Sequence, residues 1–155
     1  MQNVLFVCLG NICRSPMAEV IFTHMVDEAG LSHQIHVDSV ATSNWEESNQ
    51  AHPGARHTLA EHGLNAESHR SRPITPQDFA WADWIITMDR SNLANLKHMA
   101  PANAQAKLHM AYEILPDRSD QEIPDPWYSH NFELTYRQLN EVLPAWLTKI
   151  SAANQ

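Results

Sequence analysis

The sequence predicts an α/β layer fold around a parallel sheet, and three observations predict it. Short apolar runs alternate with helix-patterned segments along the chain. Residues that cap helices stand directly before prolines at Ser15-Pro16 and Thr75-Pro76. The chain has 155 residues, 43% of them apolar, which suits one domain (1–155) with a sizeable core.

The elements follow in order. Val4 to Val7 is a continuous apolar run, as in a strand buried on both faces. A helix should begin with Ser15 as N-cap and Pro16 at its first position, run to about Ala29 and stop at Gly30. Ile35 to Ser39 reads as a second strand, and Ala41 to His52 is a polar loop. Pro53 to His62 is a helix closed by Gly63, and Thr75-Pro76 opens another. Trp84 to Met88 is a third strand, Ser91 to Met99 a helix, and Lys107 to Met110 a fourth strand. Residues 112–130 hold several prolines and acids and read as loop. The last helix spans Phe132 to Ile150, with Leu139, Val142, Leu143, Trp146, Leu147 and Ile150 on one face and Pro144 as a candidate kink. No internal repeat and no low-complexity segment interrupts the pattern.

Charge and composition exclude several roles. A net charge of -8 argues against a nucleic-acid protein, which needs a broad basic face. No apolar run approaches the length of a membrane span, and Met-Gln-Asn leading into a strand is not a signal peptide. Two cysteines are too few for a disulfide scaffold, so the expectation is a cytoplasmic protein with free thiols.

Parallel α/β sheets bind ligands beyond the carboxyl ends of their strands. That places the turn "CLGNICRS", residues 8–15, at the prime position. A tight turn closed by a helix N-terminus gathers backbone N–H groups around a small concavity suited to a tetrahedral oxyanion. Gly10 permits backbone angles closed to other residues, and Asn11 tolerates the left-handed region. Arg14 brings a planar fork of donors for phosphate oxygens. Cys8, at the base, stands in surroundings that favour thiolate over thiol, and Ser15 has a hydroxyl to offer that sulfur. A lone cysteine at a strand end is normally a small hydrophobe; the strand before it and the Gly-Asn and Arg-Ser-Pro after it argue for chemistry. The Gly-Lys-Ser/Thr ending of a Walker loop is missing.

"VCLGNICRSPMAE" resembles the phosphate-binding loop of the low-molecular-weight protein tyrosine phosphatases. "VDS" at 37–39, "ITMDRSNL" at 86–93 and "IPDPWY" at 123–128 extend the likeness along nearly the whole chain. The resemblance implies a four-stranded parallel sheet of order 2-1-3-4 with helices on both sides, no metal and no cofactor. It makes Cys8 the nucleophile and Arg14 the phosphate clamp, with Leu9, Gly10, Asn11, Ile12, Cys13 and Ser15 completing the loop. Asn11, Ser39 and His69 look like the hydrogen-bond network behind the loop, with Glu19 paired to His69. The implied substrates are phosphotyrosine proteins; bacterial relatives often serve a tyrosine kinase of an envelope-polymer pathway.

Cleaving a phosphate ester requires a proton for the leaving oxygen. Asp125, between two prolines, matches the family's general acid, and a phosphate dianion beside it favours the protonated carboxyl. Trp45, Trp127 and Tyr128 are candidates for a slot around an aryl group; Trp127 stands where the family usually has a tyrosine. Asp89, just past the third strand, is either a brace for the site or a structural acid. Cys13 is either a resolving thiol for an oxidised Cys8 or a packing residue. Three rivals remain. An arsenate reductase of this fold uses further cysteines, and none follows Cys13. A protein arginine phosphatase tends to have Thr in place of Ile12 and no aromatic pair after Asp-Pro. A phosphocysteine carrier or phosphate-binding module would need the loop but not Asp125.

Overall fold

The computed structural model describes residues 1–154. Four strands, β1 (Gln2–Cys8), β2 (Ile35–Ala41), β3 (Trp84–Thr87) and β4 (Leu108–Met110), form one sheet in the order β2-β1-β3-β4. All three pairings are parallel. Six helices connect and cover them: α1 (Arg14–Glu28), α2 (Pro53–Glu61), α3 (Pro76–Trp81), α4 (Arg90–Met99), α5 (Pro126–Ser129) and α6 (Phe132–Ala152).

Alternation along β1 divides the apolar interior in two. Val4, Phe6 and Cys8 join residues of α1, α2 and α6 in one cluster, while Leu5 and Val7 join Phe79, Ile85 and Leu96 in the other. Both faces of β1 are therefore sealed, which is why its sequence reads as an unbroken apolar run. Trp146 is fully buried and donates from its indole N–H to the Ala111 carbonyl at 2.8 Å, so its one polar atom is satisfied. β1 is an inner strand of the sheet, so the turn after it leaves from the middle of the carboxyl edge.

Several boundaries differ from the sequence expectation. Helix α1 starts at Arg14 with Cys13 as N-cap and no side-chain cap, so neither Ser15 nor Pro16 holds the expected position. The physical reason is that the Ser15 hydroxyl is committed elsewhere, to Cys8 Sγ and the Asn11 amide. The helix ends at Glu28, and Gly30 follows with φ 72°, where a side chain would be strained. Strand β3 ends at Thr87 because the Met88 N–H turns to the Asn92 side chain at 3.2 Å. Lys107 closes a 3-10 turn, Ala102–Lys107, rather than opening β4. The 112–130 stretch is not plain loop: 3-10 turns cover Ala111–Ile114 and Pro116–Arg118, and α5 follows, capped by Asp125 with Pro126 at its first position. Pro144 lies inside α6. No described helix is long and apolar enough to cross a membrane.

Candidate active site

The turn from Cys8 to Ser15 folds around the cysteine sulfur. Asn11 and Ser15 direct backbone N–H groups at Cys8 Sγ, at 3.3 and 3.5 Å. The Ser15 hydroxyl lies 3.0 Å from the same sulfur. That hydroxyl already accepts from the Asn11 amide at 2.7 Å, and Cys8 Sγ is the acceptor it has among the described residues, so it donates to sulfur. Three donors thus converge on Cys8, the arrangement a thiolate needs.

The backbone around them has a clear polarity. The carbonyls of the turn are pulled outward one after another. Cys8 O accepts from Thr42 N at 3.0 Å, and Leu9 O from Ser43 N and Oγ at 3.2 and 2.8 Å. Gly10 O accepts from Ser71 Oγ at 2.8 Å, Asn11 O from His69 Nε2 at 2.7 Å, and Ile12 O from His52 N at 2.8 Å. Cys13 O is taken by Met17 N within the start of α1. With the carbonyls tied back, the N–H groups of Gly10, Ile12, Cys13 and Arg14 have no protein acceptor among the described residues. Uncompensated N–H groups next to a helix N-terminus form an anion nest.

One residue makes this backbone possible. Asn11 adopts φ 57°, so the left-handed position falls on Asn11 and not on Gly10. Its strained conformation is held by its own side chain, which is fully buried. The amide donates to Ser15 Oγ and, at 3.0 Å, to Ser39 Oγ, while its oxygen accepts from Arg72 N at 3.2 Å. Ser39, delivered by β2, donates its own hydroxyl to Glu19 Oε1 at 2.6 Å. The expected Glu19–His69 pair does not form: Glu19 is bonded to Ser39, and His69 to the Asn11 carbonyl. Both line the same polar cavity behind the loop. Burial raises the Glu19 carboxyl to about 7, against the Ser39 bond that favours its charge.

Arg14 is buried, and its guanidinium is only partly satisfied. Nη1 donates to Asp89 Oδ2 at 2.7 Å and to the Ile123 carbonyl at 2.9 Å. Nη2 lies 3.5 Å from Asp125 Oδ2, and Nε has no hydrogen-bond partner among the described residues. Burial works against the Arg14 charge, but Cys8, Asp89 and Asp125 outweigh it and keep the group more firmly protonated than usual. A buried guanidinium with a free donor awaits an anion. Asp89 both braces Arg14 and caps α4 through Asn92 N at 2.7 Å, so the two roles open to it coincide.

Asp125 reaches the site as the N-cap of α5, where its Oδ1 accepts from Trp127 N at 3.0 Å. The opening above Cys8 is a cavity of about 170 Å³. Loop residues Cys8 to Gly10, Ile12 and Cys13 line it from the sheet side, with Glu46 and Asp125 beside them. Trp45, Trp127 and Tyr128 complete the lining and are exposed. Cys13 is buried, and that burial, with the charges of Cys8 and Asp125, pushes its thiol well above the ordinary range. Both cysteines are free.

Sequence reasoning missed Ser71, Ile123 and His52, which hold the loop and Arg14, Ser71 through its hydroxyl and the other two through backbone atoms. Nothing local in the sequence marks them. Among the described residues no cluster of His, Cys, Asp or Glu could hold a metal ion.

The same architecture recurs in known proteins. The family model described as low molecular weight phosphotyrosine protein phosphatase matches residues 3–155. A curated relative of that name from Sus scrofa is 39% identical over 153 residues, covering 96% of each chain. The crystal structure of YfkJ from Bacillus subtilis superposes with a TM-score of 0.95 at 34% identity, covering 100% of this chain and 98% of that one. A Drosophila arginine phosphatase structure superposes with a TM-score of 0.88, also at 34% identity, covering 96% of this chain and 97% of that one. With a match that runs almost from end to end and includes the loop, the chain belongs to the low-molecular-weight phosphotyrosine protein phosphatase family.

Proposed function

We propose that the chain hydrolyses protein phosphotyrosine, and small aryl phosphates, through a cysteinyl-phosphate, with Cys8 as nucleophile, Arg14 as clamp and Asp125 as general acid and base. The observation that carries this reading is the polarity of the loop. Its carbonyls are tied outward, while free N–H groups and the unpaired Arg14 Nε remain to meet the equatorial oxygens of a phosphoryl group. Cys8 Sγ attacks phosphorus in line, the P–O bond to the aryl group breaks, and Asp125 gives its proton to the departing oxygen. Water then attacks the cysteinyl-phosphate, Asp125 takes its proton, and the P–S bond breaks. The Ser15 hydroxyl stabilises the returning thiolate. The free cysteines fit a reducing, cytoplasmic setting.

Phosphoarginine is the competing substrate, given the likeness to an arginine phosphatase. The aromatic lining favours a flat aryl group instead. Phosphotyrosine peptides are therefore expected to give kcat/KM at least about tenfold above matched phosphoserine and phosphoarginine peptides, a margin that one aromatic contact supplies. Comparable values on all three would overturn the aryl-pocket reading. Physiological phosphotyrosine partners, among them any envelope-polymer kinase, would be identified by capture on a Cys8→Ser trap.

Peroxide chemistry gives a second expectation. Peroxide converts Cys8 to a sulfenic acid within the same loop as Cys13, and both cysteines are free. The Cys13 sulfur then attacks the Cys8 sulfur, the S–O bond breaks, the Cys13 proton leaves with the hydroxyl as water, and a disulfide forms. Peroxide-inactivated enzyme should recover with a thiol reductant, and Cys13→Ser should recover much less. Peptide mapping that finds no Cys8–Cys13 link, with unchanged recovery in Cys13→Ser, would leave Cys13 as a packing residue.

A further inference from the structure

His52 sits where three parts of the site meet, and the reaction as described leaves it without a task. Its backbone N–H holds the Ile12 carbonyl of the phosphate loop at 2.8 Å. Its side chain caps α2: Nδ1 accepts from Gly54 N at 2.9 Å. Its ring stacks on Phe132, at the start of α6, with centroids 4.9 Å apart and planes at 28°. The Trp127 indole meets the same ring edge-on at 5.6 Å and 86°. Gly54 leaves room for this stack, since a Cβ there would overlap the Phe132 ring.

An imidazole in this place is bistable toward protons. Accepting at Nδ1 requires the neutral ring with its proton on Nε2. A proton on Nδ1 would set one N–H against another, that of Gly54, and the cap would be lost. An Asp or Asn cap accepts across the same pH range without this penalty.

We propose that His52 is a positioning residue, whose neutral ring registers the Trp127 wall of the aryl slot against the phosphate loop and whose protonation releases that wall. The inference rests on the phosphatase reading only for its kinetic arm. Trp127 is two residues beyond Asp125 on α5, so the ring that seats the wall also steadies the helix that Asp125 caps. The charged and titratable groups facing His52 are His130 after α5, Arg56 on α2, Glu46 after β2, and Asp125. Burial, His130 and Arg56 hold the imidazole below its ordinary value, and Glu46 and Asp125 oppose them less strongly. The stability that the neutral cap supplies is therefore complete above about pH 6.5 and is lost as pH falls through the lower folded value.

Two measurements test this. In NMR titrations of the wild-type protein, the His52 ring protons and the Trp127 indole N–H should move with one common midpoint below 6.5. In His52→Asn, which keeps a cap acceptor but does not titrate, the Trp127 signal should stay still over that range. In kinetics on phosphotyrosine, wild type should show KM rising about fivefold on the acid side, the scale of one lost cap contact. His52→Asn should lack that limb while kcat keeps its own profile. A Trp127 midpoint that differs from that of His52 overturns the proposal even if the variant fails to fold. So does a Trp127 titration that persists in His52→Asn, or a pair of KM profiles that differ by a constant factor only. The NMR arm needs no turnover, so an inactive protein would count against the phosphatase reading and not against this coupling.

Discussion

Cys8→Ser is expected to lose turnover by about 10⁴-fold or more while still binding inorganic phosphate. A serine hydroxyl is a far weaker nucleophile than a thiolate, and the donors around position 8 are arranged to stabilise an anion, not to remove a proton. Among the described residues no histidine or carboxylate bonds to Cys8 Sγ, so none stands ready to act as base for a serine. The binding groups are separate from the nucleophile. The N–H groups of Gly10, Ile12, Cys13 and Arg14 and the Arg14 guanidinium survive the substitution, and the outward carbonyl bonds that shape them involve no sulfur. Calorimetric titration with phosphate should therefore detect binding by the variant, with its circular dichroism unchanged. Hydrolysis of an aryl phosphate near the wild-type rate would sink the nucleophile assignment. A folded variant with no phosphate binding would sink the division of labour between sulfur and loop.

How much of this was legible in the sequence depends on how far the deciding contact reaches. The strand, turn and helix around Cys8 and Arg14 are local, and each could be read from the apolar run, the Gly-Asn pair and the Arg-Ser-Pro that follows. The strand order came from family resemblance, because nothing in an apolar run says which strand is its neighbour. Errors arose where a side chain had a choice of partners. Ser15 read as an N-cap, yet the sulfur and the Asn11 amide claim its hydroxyl. Glu19 read as a partner of His69, yet β2 brings Ser39 closer to it. Of the two residues read as able to take unusual backbone angles, Gly10 and Asn11, the left-handed turn goes to Asn11, whose side chain has three partners to hold it there. The α5 turn carries the same cap-then-proline signature as α3, but four residues are too few to show a helical period. Ser71, Ile123 and His52 act on the loop and Arg14 from 61, 109 and 40 residues away in the chain. Two of them use backbone atoms whose placement no side-chain pattern encodes.

Asp125→Asn is expected to slow phosphoryl transfer by a factor that depends on the leaving group. Asparagine preserves the N-cap of α5, since its side-chain oxygen still accepts from Trp127 N, so the aromatic wall should stay in place. What it lacks is a carboxyl proton for the departing oxygen. A positioned general acid contributes about 10²–10⁴-fold, and the contribution is largest when the leaving oxygen is basic. Phenol and tyrosine esters should therefore approach the upper end of that loss, while nitrophenolate, which departs without a proton, should suffer least. Plotted against leaving-group pKa, the phosphorylation rate should be nearly flat for wild type and steep for Asp125→Asn. Single-turnover kinetics is required, because hydrolysis of the cysteinyl-phosphate can limit kcat and hide the first step. The variant also removes a negative charge 3.5 Å from Arg14 Nη2, which frees that donor for substrate oxygens. Phosphate affinity should thus rise or hold while the rate falls, a combination that damage to the pocket would not give. If the variant loses one constant factor on every ester, Asp125 only positions the slot. The acid must then be sought at Asp89, whose carboxylate already faces Arg14 from the other side of the guanidinium.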